Sequence, residues 1–248
     1  MVAEFDEGRL AQKQVTDNSI LEIQVYYGHI TAMTVQTPIP DFAAARAAMI
    51  ENQLRPEGVT DPAVLDAMAT VAREIFLPAQ TRSLAYVDRA VAMGEGRYLP
   101  APSVLGSILM QMRPARGQSA LVVGAGTGYS AAVLQAMGVS VTALESSAAL
   151  ASKARSHGID AVEGRLEDGL KKGAPYDHIL IDGAVEHVPE AMIDQLADGG
   201  RLGAALVERG VTRLIIGRKA GGAFGYLSLR DAGAPALPGF ARPKAFIF

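Results

Sequence analysis

The sequence predicts a doubly wound, mostly parallel α/β sheet with an antiparallel C-terminal edge and a small N-terminal helical cap. Three observations carry this. After Gly117, short apolar strands alternate with helical stretches (ALVV, SAAVLQAMG, SVTALE, SAALASKARSHG, IDAVEG, YDHILID, EAMIDQLADGG, RLGAALV). Parallel neighbours need a crossover connection, and that alternation supplies one each time. Ahead of Gly117 the apolar spacing is helical, and at the far end TRLIIGRK, GYLSLR and KAFIF are strands with no helix between them, as an antiparallel edge requires.

Taken in order, the first forty residues are mixed in polarity apart from ILEIQVYYG, which ends at Gly28. Residues 1–32 read either as an extension outside the core fold or as a true edge strand, and Pro38 and Pro40 read as a linker before a helix. From Asp41 the residues Ala45, Met49, Ile50 and Leu54 recur at helical spacing. Asp61 caps a second helix with Pro62 at its first position and Val64, Leu65, Met68 and Val71 inward. Pro78 to Leu99 reads as loop, and a third helix runs over Pro102 to Met112 with Val104, Leu105, Ile108 and Leu109 on one face. The expected organisation is therefore residues 1–40 as extension and linker, 41–100 as cap and loop, and 101–248 as the ligand-binding core.

Composition narrows the function. The 248 residues carry a net charge of -3 with no basic stripe, which argues against nucleic acid as partner. There is no cysteine, so thiolate chemistry, disulfides and cysteine metal sites are excluded. The four histidines show no ligand spacing, and no metal is expected. The N-terminus lacks the pattern of a secretory signal, and no apolar run approaches the roughly 20 residues that span a bilayer. A cytoplasmic protein, off the membrane and monomeric, is the expectation.

The chemistry is concentrated in LVVGAGTGYS, Leu121 to Ser130, where Gly124, Gly126 and Gly128 alternate directly after a strand. Such a loop brings side-chain-free backbone and a helix N-terminus against a ligand. A dinucleotide fingerprint has its third glycine where this chain has Tyr129, and no P-loop lysine is present after it, so a nucleoside ligand without phosphates is favoured over a nicotinamide cofactor. Glu145 ends the next strand and either accepts a ribose diol or caps the helix beginning at Ser146.

On these residues the chain resembles the class I S-adenosylmethionine-dependent methyltransferases, and within them the protein-L-isoaspartate O-methyltransferases. The likeness runs from about Arg46 to the C-terminus. MIENQLRPEGVTDPAVLDAMATVAREIFLP is similar to that family's N-terminal helices, AYVDRAVAMGEGRYLPAP to its substrate loop, and VVGAGTGYSAAVL to its cofactor loop. YDHILIDGAVEHVPEAMIDQLADGGRL is similar to its fourth strand with the next helix and strand. The resemblance implies a Rossmann-like methyltransferase fold, S-adenosyl-L-methionine as cofactor and a damaged protein or peptide as substrate. The activity implied is methyl transfer to the carboxylate of L-isoaspartyl residues. It places the methionine portion of the cofactor on Gly124, Gly126 and Gly128, the ribose on Glu145 and the adenine edge at Gly164 and Arg165, with Arg97 to Ser103 lining the substrate crevice.

Three positions depart from the family's pattern. Val122 stands where an acid usually precedes the glycine loop, Pro100 where the substrate loop carries a serine, with Ser103 one step beyond, and Arg165 where an aspartate comes after Gly164. Methyl transfer to another carboxylate or to a small molecule, and binding of the cofactor without catalysis, stand as the alternatives these departures allow. Elsewhere His178 reads as structural, Glu186 and His187 equally as substrate-side or solvated loop, Asp182 as a loop cap or a group near the reacting centre, and Tyr98 and Tyr129 as packing ahead of lining the cofactor or substrate side.

Overall fold

The computed structural model describes residues 3–5, 9–15, 21–25 and 40–242. The chain divides into two compact units, residues 1–41 and 42–248. In the first, strands β1 (Ala3–Phe5), β2 (Arg9–Val15) and β3 (Leu21–Val25) pair antiparallel in that order. β3 lies within the β-branched stretch that ends at Gly28. The linker proline Pro38 and the terminal KAFIF fall outside the described residues.

The second unit opens with α1 (Phe42–Met49), which continues into a π-helical turn over Ile50–Leu54, and the spaced residues Met49, Ile50 and Leu54 are all buried. α2 (Pro62–Thr70) starts as its cap predicts: the Asp61 carboxylate accepts from the amides of Ala63 at 2.9 Å and Val64 at 3.3 Å. A 3-10 turn at Arg73–Phe76 precedes the stretch expected as loop, which itself holds a 3-10 turn at Arg82–Leu84 and then a hairpin of β4 (Val91–Gly94) and β5 (Arg97–Leu99). Strands this short, interrupted by Gly94 and Gly96, leave too little alternation to read. α3 (Pro102–Met112) comes next, with Val104, Leu105, Ile108 and Leu109 buried.

The main sheet has seven strands in the order β12-β11-β10-β9-β6-β7-β8. β6 (Ser119–Val123), β7 (Ser140–Glu145), β8 (Asp160–Glu163), β9 (Tyr176–Val185) and β10 (Leu196–Glu208) run parallel, linked by α4 (Tyr129–Ala136), α5 (Ala148–Ser156) and α6 (Glu190–Asp194). β11 (Val211–Ala220) and β12 (Ala223–Asp231) add the antiparallel edge. Leu121 of β6 sits opposite Thr142 on one side and Ile179 on the other, so the chain reverses its direction of travel across the sheet between β6 and β9. Open α/β sheets bind ligands at such a switch point, outside the carboxyl ends of the strands.

β6 is buried on both faces. Ala120 and Val122 join the core shared with the cap helices and α3, whereas Leu121 and Val123 join the core beneath β9, β10 and Phe240. α3 lies directly on β10: a side chain at Gly203 would meet Met112 Sδ at 2.6 Å and collide with Ile108. At the amino end of β9 the buried His178 hydrogen-bonds through Nε2 to Gln118 Oε1 at 2.8 Å, a structural role. Among the described residues no helix is long and apolar enough to cross a membrane.

Leu109→Ala, a deletion at a fully buried position, is expected to cost about 2–5 kcal/mol in urea unfolding. Burial lowers His178 from 6.5 to about 4. The unfolded chain therefore takes up this proton first, and the stability it confers above pH 6.5 is lost as pH falls towards 4. His178→Gln should flatten that acid-side loss in unfolding curves measured across this window.

Candidate functional site

β6 delivers the glycine loop to the switch point. Gly124, Gly126 and Gly128 have φ of 77°, 56° and 99°, the left-handed region where a Cβ is penalised. The amides of Gly124 and Ala125 donate to the Leu144 carbonyl at 2.8 and 3.2 Å, and the Gly128 amide closes the turn on the Ala125 carbonyl at 2.9 Å. A side chain at Gly128 would press on Ile159 Cγ1 at 2.8 Å, so this glycine serves helix–strand packing. Thr127 pins the loop to the cap by donating its hydroxyl to the Phe76 carbonyl at 2.6 Å.

The structure brings Glu145 to the same loop. Its carboxylate has no solvent exposure, and Oε2 accepts from the Gly126 amide at 2.7 Å. Oε1 accepts from the amides of Ser146 at 2.8 Å and Ser147 at 3.1 Å, and from Arg97 Nη1 at 3.1 Å. Glu145 thus closes the turn before α5 and bonds the glycine loop at once. Arg97, from β5, also donates Nη2 to the Gly124 carbonyl at 2.6 Å. The chain's own hairpin therefore lies in the glycine cradle: Arg97 beside Gly124 and Met93 against Gly126.

Behind the loop lie two more buried charges. Asp182, near the end of β9, accepts the Ser130 hydroxyl at 2.6 Å. Burial pushes its carboxyl up to about 6 against the opposing pull of the Ser130 hydrogen bond, Arg97 and Arg73. Arg73 has no exposed surface, donates to the carbonyls of Ala85 and Pro100, and sets its guanidinium 4.8 Å from the centre of the Tyr129 ring. Burial lowers the Arg73 pKa and raises that of Tyr129. Tyr129 is packed, as its sequence position suggests, and Phe76 meets it edge-on at 5.5 Å.

The other sequence-predicted residues are spread more widely. Val122 is fully buried in apolar surroundings. Pro100 contributes its carbonyl to Arg73, and Ser103, buried at the start of α3, donates its amide to Asp88 at 2.9 Å. Gly164 donates its amide to the Glu145 carbonyl at 3.1 Å, which ties the end of β8 to that of β7. The Arg165 side chain is 74 % exposed and pairs with Glu167 at 2.6 Å. Tyr98 is exposed. Glu186 is exposed and accepts the Arg242 amide at 2.7 Å, beside an open cavity of about 780 Å³ that Glu208, Arg209 and Arg213 also line. Among the described residues no group of three or more His, Asp or Glu is placed to hold a metal ion.

Sequence reasoning missed the individual importance of Arg97, Met93 and Arg73. It also missed the C-terminal strap, in which Leu237 donates its amide to the Ala184 carbonyl at 2.8 Å and packs over Gly124 and Gly183. Only burial marks these residues, and burial of an isolated charged or thioether side chain leaves no periodic trace.

Residues 44–223 match the family model described as protein-L-isoaspartate(D-aspartate) O-methyltransferase. A protein-L-isoaspartate O-methyltransferase of Methylorubrum populi is 44 % identical over 166 residues, covering 64 % of this chain and 78 % of the relative. One from Koribacter versatilis is 35 % identical over 206 residues, covering 80 % and 93 %. Among solved structures, a protein-L-isoaspartate O-methyltransferase superposes with a TM-score of 0.69 at 23 % identity, covering 78 % of this chain and 66 % of the other. A Plasmodium falciparum structure, described as a putative protein-L-isoaspartate O-methyltransferase in complex with S-adenosyl-L-homocysteine, gives 0.68 at 22 % identity, covering 77 % and 97 %. At that identity these two structures speak for the fold.

The raised Asp182 carboxyl has a signed consequence. Between 3.8, its ordinary value, and about 6 the folded protein holds this proton more tightly than the unfolded chain, so stability falls as pH rises through that window. Asp182→Asn should remove up to about 3 kcal/mol of that decline, and comparing urea midpoints of the two proteins at pH 4 and pH 7 checks it.

Proposed function

This chain belongs to the protein-L-isoaspartate(D-aspartate) O-methyltransferase family, and from that premise we infer that it transfers a methyl group from S-adenosyl-L-methionine to the α-carboxylate of L-isoaspartyl residues in damaged proteins. The observation that carries the inference to this chain is the pairing of a left-handed, side-chain-free loop at the end of β6 with the Glu145 carboxylate at the end of β7. These residues fit the cofactor. The cradle at Gly124 and Gly126 tolerates no Cβ, and a carboxylate one strand over is the acceptor a ribose diol requires.

When bound, S-adenosyl-L-methionine supplies an electrophilic methyl group on a sulfonium. The chain's own task is then to hold and to enclose. The glycine loop and Glu145 fix one reactant, with Gly164 and Arg165 at the adenine edge, and the segment from Arg97 to Ser103 borders the other. An isoaspartyl carboxylate is already ionised at neutral pH, so no side chain is needed as general base. Holding a carboxylate oxygen in line with the methyl and excluding water is the main contribution, worth on the order of 7 kcal/mol in well-oriented systems. Pro100 offers no hydroxyl for this, so acceptor orientation falls to other groups of the crevice. That position favours one second reading, transfer to a carboxylate other than an isoaspartyl one.

Calorimetric titration with S-adenosyl-L-methionine and S-adenosyl-L-homocysteine, with methyl transfer to an isoaspartyl peptide measured on the same protein, tests the proposal. Binding of both and transfer is the expected result. Glu145→Gln should weaken binding of either ligand at least tenfold. Failure of the unaltered protein to bind either would sink the cofactor assignment, and binding without transfer to the peptide would move the acceptor to the second reading.

A further inference from the structure

The Glu145 carboxylate is crowded on one oxygen: Oε1 accepts from the amides of Ser146 and Ser147, from the Ser146 hydroxyl at 3.3 Å and from Arg97 Nη1 at 3.1 Å, whereas Oε2 accepts from the Gly126 amide. Of these donors three are backbone amides, one is the hydroxyl of the adjoining serine, and Arg97 alone is a charged side chain brought from a distant element. Arg97 is only 5 % exposed, and its second nitrogen reaches the Gly124 carbonyl at 2.6 Å. A Cβ at Gly124 would stand 2.8 Å from that nitrogen, so the space the glycine leaves is filled by the guanidinium.

The element that carries Arg97 lies outside the main sheet. β4 and β5 form a two-stranded sheet separate from the main one, and an isolated two-stranded hairpin is marginal by itself. Its turn runs through Gly94, Glu95 and Gly96, all at positive φ. Val91, Met93, Arg97 and Leu99 point inward, and Ala92, Glu95 and Tyr98 are exposed. Two of the inward side chains occupy the glycine cradle, Arg97 by hydrogen bonds and Met93 by contact with Gly126.

We propose that Arg97 is the latch of the cofactor cleft: its guanidinium and the ribose hydroxyls of the cofactor compete for the same Glu145 carboxylate, so that Arg97 sets cofactor affinity and the β4–β5 hairpin is released from Glu145 whenever the cofactor enters. The proposal rests on the reading of Glu145 as the ribose ligand. Removing Arg97 leaves Glu145 with its three backbone donors and the Ser146 hydroxyl, so the carboxylate stays solvated by the fold while one position on it becomes available.

The test is calorimetric titration of the full chain, Arg97→Gln and Arg97→Lys with S-adenosyl-L-homocysteine, beside hydrogen exchange of the amides of residues 91–99 without ligand. The latch predicts at least tenfold tighter binding by Arg97→Gln and an intermediate value for Arg97→Lys, which keeps the charge and loses the planar fork. It also predicts faster exchange across the hairpin in Arg97→Gln, with the amides of β6 unchanged. Equal or weaker binding by a folded Arg97→Gln overturns the latch and leaves the Glu145 reading standing. Absence of binding in both the parent and the variants, with a loosened hairpin, overturns the Glu145 reading and the latch with it. Should Arg97→Gln fail to fold, Arg97→Lys binding no tighter than the parent overturns the latch.

Discussion

A fully buried carboxylate has to be compensated, and the Glu145 side chain organises this protein because its compensating groups come from three separate elements. The Gly126 amide commits the loop after β6, the amides of Ser146 and Ser147 commit the turn into α5, and Arg97 commits the hairpin. Leaving one ion of a buried pair uncompensated typically costs several kcal/mol, so without ligand these elements converge on the one carboxylate. The left-handed glycines arise from the same constraint. Only a chain that turns back on itself after β6 can aim an amide at the neighbouring strand's carboxylate, and Gly126 does so at a φ that L side chains avoid.

Arg73 plays the corresponding part between cap and core. Its guanidinium takes the carbonyls of Ala85 and Pro100 and lies beside the Tyr129 ring, so the 3-10 turn, the exit of the hairpin and the start of α4 meet at one charge. This explains two sequence features together. Tyr129 stands where a dinucleotide loop needs a glycine because the ring supplies a face for the cation and an edge-on partner for Phe76. Pro100 takes part through its carbonyl, a contact that does not need the hydroxyl of a serine.

The helices of the cap, α3 and the alternating strands were legible because each buries a repeating face: Met49, Ile50 and Leu54, then Val64, Leu65 and Met68, then Leu105 and Leu109. The position of Glu145 was legible because it ends the strand next to the glycine loop, and the structure places its carboxylate on the turn before α5 and on that loop. The hairpin was not legible, since two strands of four and three residues around a glycine turn carry no period long enough to recognise. Arg97 was hidden for another reason. Its partner is 48 positions away, and nothing local distinguishes a buried arginine from a surface one. The exposed Arg165, by contrast, has its partners Glu167 and Asp168 within three residues.

The two buried cations and two buried anions near the loop are one electrostatic unit. Burial raises the Asp182 carboxyl, Glu145 raises it further, and Arg97 and Arg73 hold it down. The guanidinium that pairs with Glu145 is therefore also one of the groups that hold down a second carboxyl, which burial pushes up to about 6. Withdrawing a cation from a buried acid always moves its pKa up, because the charged form loses the partner that offset its desolvation. Movement of Arg97 and protonation of Asp182 are thus thermodynamically linked: whatever draws the guanidinium from the site favours proton uptake at Asp182, and low pH, by neutralising Asp182, weakens the hold of the site on Arg97. The hairpin, the glycine loop and the proton on Asp182 share one charge, and a change in any of them is felt by the other two.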